Sequence, residues 1–480
     1  METIAKKNKN GIVVSFIDSP SSEDVTGSLI YIATPNYKML VDCGLHQTND
    51  KAADFMVNNR KFKEFKPKDL DFVFVTHNHG DHALLCPRLY RDGFRGATII
   101  SVGSKQILKD MAYDSAYITE RDVLVINAQN NKNYKPLYSI EDVDTMLTYT
   151  IEKPMNEKIE INEEVSFELI PSGHLLGSCQ IKLYLTVGET TKTILITGDL
   201  GNKIIDNKFV GKYQQVESAD LVIGESTYGD KPDIKTGLKE RQNDLDKFKS
   251  IIETQIREMH GRVIIPSFAQ GRITQLALMI YEMYKDSEWK PKVYIDSPLA
   301  IKLIDDYSEA LDGEEKRLFN EMLRDKMFVL VKETDASKEL VSSDEPCCIL
   351  STAGMCQVGR IRHHLKSCIS NPNATILFVG FSTDGSLASL LKDPKRKFIT
   401  IDQKEYACKC ASYSLKSMSG HAPFNQLVSD YTAINCQKLI LHHGSNLAKE
   451  MLKKALDVEF SKQCKSTRVV IANSSLKFTL

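Results

Sequence analysis

Short hydrophobic runs that each lead into a histidine or an acidic residue are the feature that most restricts the fold of this chain. Runs of this length, rich in Val, Ile, Phe and Thr and closed by Gly, Ser, Asp or His, predict β-strands that end in loops. Six runs are followed by such residues, in chain order Asp42, His77, His174, Asp199, Glu225 and His443. Because strands that end at one edge of a sheet hold their loops in a fixed geometry, we expect these side chains to meet at one site.

The densest group of these residues is Thr76-His77-Asn78-His79-Gly80-Asp81-His82, which directly follows the hydrophobic run Phe72–Val75. Three imidazoles and a carboxylate within so few residues cannot all face one side of a helix or strand, whereas a loop can arrange them around a metal ion. Imidazole and carboxylate ligands without a thiolate are typical of a hydrolytic zinc site that keeps one position for water. The loop is therefore predicted to bind metal.

The distribution of helical and strand-like patterns divides the chain into three segments. Strand-like runs dominate residues 1–236, helical periodicities alternate with brief strand runs in residues 237–400, and strand character returns in residues 401–480. Alternating helices and strands predict βαβ units and a parallel sheet. We expect an α/β protein with two cores, because a single core stops growing at roughly 250–300 residues. The simplest architecture is an αββα domain that is interrupted by an inserted α/β domain.

Charge, cysteines and hydropathy restrict the environment of the protein. The net charge of −1 excludes a global basic field, so any nucleic-acid surface has to be local. The 11 cysteines include no Cys-x-x-Cys pair and are typical of reduced thiols. No stretch approaches the roughly 18 apolar residues of a membrane span, and the N-terminus lacks an apolar signal core. We expect a cytoplasmic protein without membrane association. The quaternary state stays open, with a homodimer as one option.

Several further motifs accompany the histidine cluster. They are Val25-Thr-Gly-Ser28, Asp42-Cys-Gly44, His174 in Ser-Gly-His-Leu-Leu-Gly-Ser, Asp199 in Thr-Gly-Asp-Leu-Gly, Glu225-Ser-Thr-Tyr-Gly-Asp230 and Ser419-Gly-His-Ala422. Together with the cluster they resemble the metallo-β-lactamase fold and its β-CASP nuclease branch, which includes the endonuclease subunit of the mRNA cleavage and polyadenylation machinery. The resemblance spans nearly the whole chain. It implies a metallo-β-lactamase αββα sandwich with an inserted α/β β-CASP domain.

The resemblance also implies two zinc ions per chain. The first zinc would be bound by His77, His79 and His174, the second by Asp81, His82 and His443, and Asp199 would bridge the two. Asp42 would hold a ligand imidazole without touching the metal. Two zinc ions roughly 3.5–4 Å apart lower the pKa of a shared water and direct it at a phosphorus. His442 stands beside His443, and His443 is chosen because it directly precedes Gly444, as in the family.

Three residues are expected to take part in the chemistry itself. In the family, the acid that matches Glu225 orients the histidine that matches His421, and this histidine contacts the scissile phosphate or protonates the leaving oxygen. An imidazole suits that task because its pKa lies near working pH. Asp81 is assigned to catalysis as well as to metal binding. Without the motif, a structural or surface role for His421 stays open.

Four residues of the inserted segment are candidates for binding substrate phosphate. Ser267 and Arg272 lie in Pro266-Ser-Phe-Ala-Gln-Gly-Arg272, which resembles the branch's Phe-Ala-x-Gly-Arg segment. Gly354 and Arg360 belong to a predicted strand-to-helix loop, which can aim backbone N–H groups at an anion. Arginine is the natural bidentate partner of phosphate. An ordinary turn, and an arginine that only solvates a helix, are the alternatives.

The expected function is that of a zinc-dependent RNA phosphodiesterase that acts on single-stranded RNA. His443 favours RNA over DNA, since DNA-processing relatives usually carry valine at this position. The short segment after His443 favours a compact endonuclease of RNA processing over a ribonuclease J type. The alternatives are a DNA nuclease of the same branch, a 5′–3′ exoribonuclease and a non-catalytic RNA-processing scaffold. The scaffold is disfavoured because all seven ligand positions are filled.

Overall fold

The computed structural model describes residues 11–48, 50–205, 208–232, 237–380, 382, 385–393 and 395–480. The chain forms two compact units. The first comprises Met1–Lys203, Val210–Asp233 and His421–Leu480, and the second comprises Ile204–Phe209 and Ile234–Gly420.

The strands, in chain order, are β1 (Val13–Ser15), β2 (Ile30–Ala33), β3 (Lys38–Val41), β4 (Phe72–Phe74), β5 (Ala97–Ser101), β6 (Thr150–Lys153), β7 (Lys158–Glu160), β8 (Val165–Pro171), β9 (Cys179–Val187), β10 (Thr190–Ile196), β11 (Leu221–Gly224), β12 (Arg262–Pro266), β13 (Val293–Asp296), β14 (Phe328–Leu330), β15 (Cys347–Ser351), β16 (Ala374–Phe378), β17 (Phe398–Ile401), β18 (Lys404–Ala407), β19 (Ala411–Ser414), β20 (Lys438–Leu441), β21 (Arg468–Ile471) and β22 (Lys477–Thr479).

The helices are α1 (Lys51–Asn58), α2 (Gly80–Ala83), α3 (Cys86–Arg91), α4 (Lys105–Asn130), α5 (Ile140–Tyr149), α6 (Leu238–Ile252), α7 (Arg272–Tyr284), α8 (Pro298–Ala310), α9 (Gly313–Arg324), α10 (Thr334–Ser342), α11 (Ile361–Cys368), α12 (Leu387–Leu391), α13 (Phe424–Ala433) and α14 (Asn446–Lys462). A short π-helical segment, Glu253–Glu258, continues α6, and a 3-10 turn spans Pro20–Ser22. Among the described residues, the helices include none with the length and apolar character needed to cross a membrane.

The first unit is built on two seven-stranded sheets, in the orders β22-β1-β2-β3-β4-β5-β6 and β21-β20-β11-β10-β9-β8-β7. The central strands of each sheet are apolar on both faces, since each sheet separates two cores. In the first sheet, Met39, Val41 and Phe74 belong to the core between the sheets, whereas Leu40 and Val73 belong to the core beneath the helices. Alternate residues along each strand therefore serve different layers.

Helices cover the outer face of each sheet in the first unit. Leu89 of α3, Leu108 of α4 and Val143 of α5 pack into the outer core of the first sheet. Leu427 of α13 and Leu452 of α14 pack into the outer core of the second. The unit is thus a four-layer αββα sandwich, as the sequence predicted.

The strand directions explain why the polar residues of the sequence analysis meet. β10, β11 and β20 are neighbours and run parallel, so the loops that carry Asp199, Glu225 and His443 leave the same edge of the second sheet. β3 and β4 are parallel neighbours in the first sheet and lead into Asp42 and His77. Parallel strands place their carboxyl ends, and the residues that follow them, at one edge.

The second unit contains a six-stranded sheet in the order β14-β13-β15-β12-β16-β19, and its strands pair in parallel. The βαβ pattern predicted for this region is therefore confirmed. The second unit ends at Gly420, whereas the sequence analysis predicted that the inserted segment ends twenty residues earlier, at residue 400. The later end has a simple cause: β19 pairs with β16 of this sheet, and β17 and β18 form a hairpin. Hydrophobic alternation marks a strand but does not identify the sheet that the strand joins.

Candidate metal centre

Four side chains of the first unit converge on one potential metal site. One ligand atom from each of His77, His79, His174 and Asp199 lies within 4.8 Å of the others. His79 Nδ1 is 3.2 Å from His77 Nε2 and 3.4 Å from His174 Nε2. Asp199 Oδ2 is 3.7 Å from the Nε2 atoms of both His77 and His174. The first ligand group predicted from the sequence is therefore brought together.

A second group of the same kind lies beside the first. It comprises Asp81, His82 and His443, whose ligand atoms also fall within 4.8 Å of one another. His443 Nε2 is 3.2 Å from His82 Nε2 and 3.4 Å from Asp81 Oδ2. His443 rather than His442 faces these residues, and its role as a metal ligand stays a prediction.

Asp199 connects the two groups, because its carboxylate divides its oxygens between them. Oδ2 faces His77 and His174, whereas Oδ1 lies 3.3 Å from His82 Nε2 and 3.3 Å from His443 Nδ1. The side chain is buried, with 2% of its surface exposed. A carboxylate that is shared between two clusters of imidazoles is the arrangement expected of a ligand that bridges two metal ions.

The spacing of these atoms fits a metal ion. Ligands about 2.0–2.1 Å from a tetrahedral zinc ion stand roughly 3.3 Å from one another, and imidazole nitrogens in both groups are separated by 3.2 Å. A neutral imidazole carries one donor and one acceptor, so several rings that turn their nitrogens toward one point cannot all hydrogen-bond one another. The donor set contains nitrogen and carboxylate oxygen, which suits zinc and related divalent ions.

Burial and nearby charges shift the pKa values of two histidines of the site in opposite directions. Burial holds the pKa of His77 well below its ordinary value, with the neighbouring His82 acting in the same direction. For His82, burial also acts to lower the pKa, but the carboxylates of Asp199 and Asp42 outweigh it and raise the pKa well above the ordinary value. A metal ligand has to be a neutral imidazole, so His82 would have to lose its proton in order to bind a metal ion.

Asp42 orients a ligand and fixes the loop that carries the others. Asp42 Oδ2 lies 2.7 Å from His82 Nδ1. Asp42 Oδ1 accepts hydrogen bonds from the Thr76 backbone N–H at 2.8 Å and from Thr76 Oγ1 at 3.0 Å, and Ser28 Oγ donates to Oδ2 at 3.2 Å. The geometry is that predicted for Asp42. The roles of Thr76 and Ser28 were missed, although both residues stand inside the motifs that the sequence analysis singled out.

His174 is presented by a tight loop between β8 and β9. Ser178 Oγ accepts hydrogen bonds from the backbone N–H groups of His174 at 3.1 Å and Leu175 at 2.9 Å. Gly173 adopts a φ of +75°, which side chains rarely tolerate. The Ser-Gly-His-Leu-Leu-Gly-Ser motif is thus a backbone device that aims one imidazole at the site.

Glu225 and His421 lie next to the ligand groups. Ligand atoms of Asp199, Glu225 and His421 fall within 4.8 Å of one another, and His421 Nδ1 is 3.7 Å from Asp199 Oδ2. Glu225 is buried and accepts hydrogen bonds from the N–H groups of Leu200 at 2.6 Å and Thr227 at 3.2 Å. Burial and the charge of Asp199 raise the pKa of Glu225 to about 7. Glu225 and His421 thus lie together beside the two ligand groups, and their roles in the chemistry stay predictions.

The close packing of Gly44 against the histidine loop provides a direct test of the site. A Cβ atom on Gly44 would lie 1.8 Å from the Asp81 carbonyl oxygen and 2.5 Å from the His82 nitrogen. Gly44→Ala should therefore displace Asp81 and His82, destabilise the fold by about 1–3 kcal/mol, the usual cost of overpacking, and weaken metal binding. Thermal melting and metal titration measure both effects.

The control for this substitution is Gly211→Ala, because a Cβ atom there would meet only Pro171 Cβ at an ordinary 3.7 Å. This variant should melt and bind metal like the wild type. If Gly44→Ala binds metal with unchanged affinity, the Asp81–His82 backbone does not need its observed position.

The four phosphate candidates belong to the second unit, and the structure places three of them near the carboxyl end of β12 or β15. Ser267 follows β12, and its N–H donates to Ser351 O at 3.0 Å. Arg272 begins α7 and donates through Nη1 to Met418 O and to Gln275 Oε1, each at 2.6 Å. Gly354 is packed against the ring of Phe268. A phosphate-binding role for these residues stays a prediction.

The guanidinium of Arg360, the fourth candidate, is engaged within the second unit. Arg360 Nη1 is 2.7 Å from the buried Asp296 Oδ1 and donates to Val331 O at 2.9 Å, and Nη2 donates to Lys332 O at 2.9 Å. Asp296 Oδ2 is also 2.7 Å from His364 Nε2. These contacts favour a role for Arg360 in fixing the start of α11. The sequence could not show this, because Asp296 is distant along the chain.

Comparisons with known proteins agree with the fold. The model of the metallo-beta-lactamase superfamily matches residues 23–92, and that of the Beta-Casp domain matches residues 273–391. A crystal structure of a protein of unknown function from Enterococcus faecalis superposes with a TM-score of 0.54 at 12% identity, over 98% of this chain and 100% of that one. This last likeness concerns the fold alone.

Related proteins are found over most of the chain. Transcription termination factor FttA of Methanocaldococcus jannaschii is 28% identical over 448 residues, which cover 90% of this chain and 67% of that factor. A ribonuclease of Thermus thermophilus is 27% identical over 417 residues, which cover 85% of this chain and 88% of the ribonuclease. An RNase J-like protein of Methanocaldococcus jannaschii is 28% identical over 425 residues, or 87% of this chain and 89% of that protein.

The sandwich, its ligand cluster and the first family match show that the chain contains a domain of the metallo-β-lactamase superfamily. The second match adds a Beta-Casp domain within the inserted unit. The resemblance drawn from the sequence motifs is confirmed, and a divalent metal is implied.

Proposed function

We propose that the protein is a zinc-dependent RNA phosphodiesterase that cuts single-stranded RNA internally and holds two zinc ions per chain. Its two domains make it a metal-dependent hydrolase of nucleic acids. The observation that supports two zinc ions is the position of Asp199, whose two oxygens face two separate ligand groups. A site for a single ion needs no such shared carboxylate.

The division of the ligands follows from their distances. His77, His79 and His174 would hold one ion, and Asp81, His82 and His443 would hold the other. When bound, two zinc ions lower the pKa of a water molecule, orient it and stabilise negative charge on a phosphate. The imidazole of His82 stays correctly oriented because Asp42 accepts its Nδ1–H.

His421 is the group of this chain that is suited to act on the phosphate. It lies at the edge of the centre with 18% of its side chain exposed, whereas the imidazoles of His77 and His174 are almost completely buried. A partly accessible imidazole beside a metal centre can donate a proton or a hydrogen bond to a leaving oxygen. Glu225, fixed by two backbone N–H groups, lies beside His421 and is the carboxylate assigned to orient that imidazole.

The names of the relatives support RNA as the substrate. Two of them are named as a ribonuclease and an RNase J-like protein. Others are named as transcription termination factors, and the chain spans about two thirds of the length of those factors. Internal cleavage, a preference for single strands, a cytoplasmic location and a homodimer stay predictions. A DNA nuclease and a 5′–3′ exoribonuclease are the competing activities.

Purified protein should contain close to two zinc ions per chain and cut RNA that is labelled at either end. The expected products are internal fragments, independent of a 5′ phosphate. The same oligonucleotide sequence as DNA is the control and should be cut far more slowly. Stepwise products from the 5′ end would replace the endonuclease by an exonuclease. Elemental analysis that finds no transition metal in protein never exposed to chelator would contradict the proposal itself.

A further inference from the structure

His442, the neighbour of the metal ligand His443, is held by the start of the chain. Its Nε2 lies 2.8 Å from Ser21 Oγ and 3.0 Å from Ser19 Oγ, and these two hydroxyls are 3.2 Å apart. The imidazole is buried, with 3% of its surface exposed, and packs against the ring of Phe16 at 5.2 Å. A buried polar group needs such partners, and here two serines supply them.

The same serine turn also holds the backbone of the ligand. The His443 N–H donates to Ser21 O at 3.0 Å, and the Ser226 N–H donates to His443 O at 3.1 Å. His443 adopts a φ of +50°, in the left-handed region that residues other than glycine rarely occupy. A conformation of this kind is unfavourable for a residue with a side chain, and it persists only when surrounding contacts impose it.

A buried lysine ties the serine turn to the strand that carries both histidines. The ammonium of Lys449 donates to Ser22 O and, at 3.3 Å, to Ala472 O. The Ala472 N–H in turn donates to Leu441 O at 2.9 Å, at the end of β20. The turn at Pro20–Ser22 is thereby fixed from the side of α14 as well as from the side of His442.

These contacts form one unit, which we call the serine clamp and define as Ser19, Ser21 and His442. We propose that the serine clamp positions His443 for metal binding, so that the N-terminal segment of the chain controls the loading of the second metal site. His442 acts through His443 and is a positioning residue. The inference rests on the two-metal centre proposed above and is independent of the substrate.

The physical argument is one of backbone geometry. His443 has to bring its imidazole within 3.4 Å of Asp81 Oδ2 and 3.2 Å of His82 Nε2 while its backbone stays in an unfavourable region. The hydrogen bonds to His442 Nε2 hold that side chain toward the two serines. The hydrogen bond from the His443 N–H fixes the backbone of the next residue, whose side chain faces the second ligand group. Loss of the clamp lets the backbone relax and moves one ligand of the second group, whereas the first group contains no residue of this segment.

The test uses His442→Leu, which keeps the volume but removes the polar contacts, and the double variant Ser19→Ala/Ser21→Ala, which leaves both histidines intact. Zinc stoichiometry and the affinity of each site are measured by titration, with cobalt absorption as a second readout. Both variants should retain the first metal and bind the second roughly 10–100-fold more weakly, the usual effect of removing a group that orients a ligand. His442→Gln, whose amide can still bond the hydroxyls, should restore most of the affinity.

The matched control is His363→Leu, because His363 is an exposed histidine that also precedes another histidine, His364. It should bind both metals like the wild type. If the serine variant binds the second metal as tightly as the wild type does, the serine clamp is overturned and the metal centre is unaffected. If the serine variant loses both metals together, the clamp does not act on the second site alone and the proposal is also overturned. A wild type that binds only one zinc would overturn the two-metal centre itself. If His442→Leu fails to fold, the serine double variant decides alone.

Discussion

Replacement of Asp199 by alanine is expected to abolish cleavage and to release both metals. The carboxylate faces His77 and His174 through one oxygen and His82 through the other, so each ligand group loses an anionic member. The rate should fall well beyond the roughly 10–100-fold that follows from loss of an outer contact to a ligand. Elemental analysis and the rate on labelled RNA measure the two effects.

Asp220→Ala is the matched control for Asp199→Ala. Asp220 also belongs to the β10–β11 region, but it lies at the opposite strand ends, where it accepts hydrogen bonds from the N–H of Thr193 at 2.8 Å and from its Oγ1 at 2.9 Å. Its loss should cost about 1–3 kcal/mol of stability and leave metal content unchanged. Asp199→Ala should show the reverse pattern, with little change in melting temperature beyond the contribution of the bound metal. Full activity of Asp199→Ala would place the chemistry elsewhere.

Replacement of His421 by alanine should leave both metals in place and slow cleavage by roughly 10²–10⁴-fold, the usual effect of losing a general acid or base. The metal measurement is decisive here, because His421 Nδ1 is as far from Asp199 Oδ2, 3.7 Å, as the predicted ligands His77 and His174 are. Loss of zinc along with activity would make His421 a ligand.

The effect of His421 should depend on Glu225. If Glu225 acts by orienting His421, the double variant Glu225→Ala/His421→Ala should be little slower than His421→Ala alone, because nothing is left to orient. Glu225→Gln is the milder companion variant, since it keeps the shape of the side chain. Losses that simply multiply would show that the two residues act independently, and the assignment of Glu225 would then have to change.

The motif-bearing residues were predictable because their chemistry and their chain positions point the same way. The run from His77 to His82 follows a strand that is apolar on both faces, and such a strand has to be buried between two layers. Asp42 and Asp199 likewise follow apolar strands. Local sequence therefore indicated both the strand and the polar residue at its end, and the family motifs supplied the grouping.

The limits of sequence interpretation appear where neighbouring residues have different partners. His442 and His443 are chemically identical, yet one is 2.8 Å from Ser21 Oγ and the other 3.2 Å from His82 Nε2. Arg360 looked like a phosphate ligand, whereas its guanidinium lies 2.7 Å from the carboxylate of Asp296. In both cases the partner comes from a distant part of the chain, so no local pattern contains the information.

The sequence by itself thus determined the αββα sandwich with its inserted α/β domain and the residue types of the metal centre, because hydrophobic periodicity and ligand chemistry are properties of short segments. Only the tertiary structure decided that β19 belongs to the second unit's sheet, that Asp199 divides its oxygens between two ligand groups, and that a serine turn near the N-terminus holds the strand end at His443. These features depend on hydrogen bonds and strand pairs between residues far apart in the chain. Packing of the complete fold, not local preference, selects among such partners.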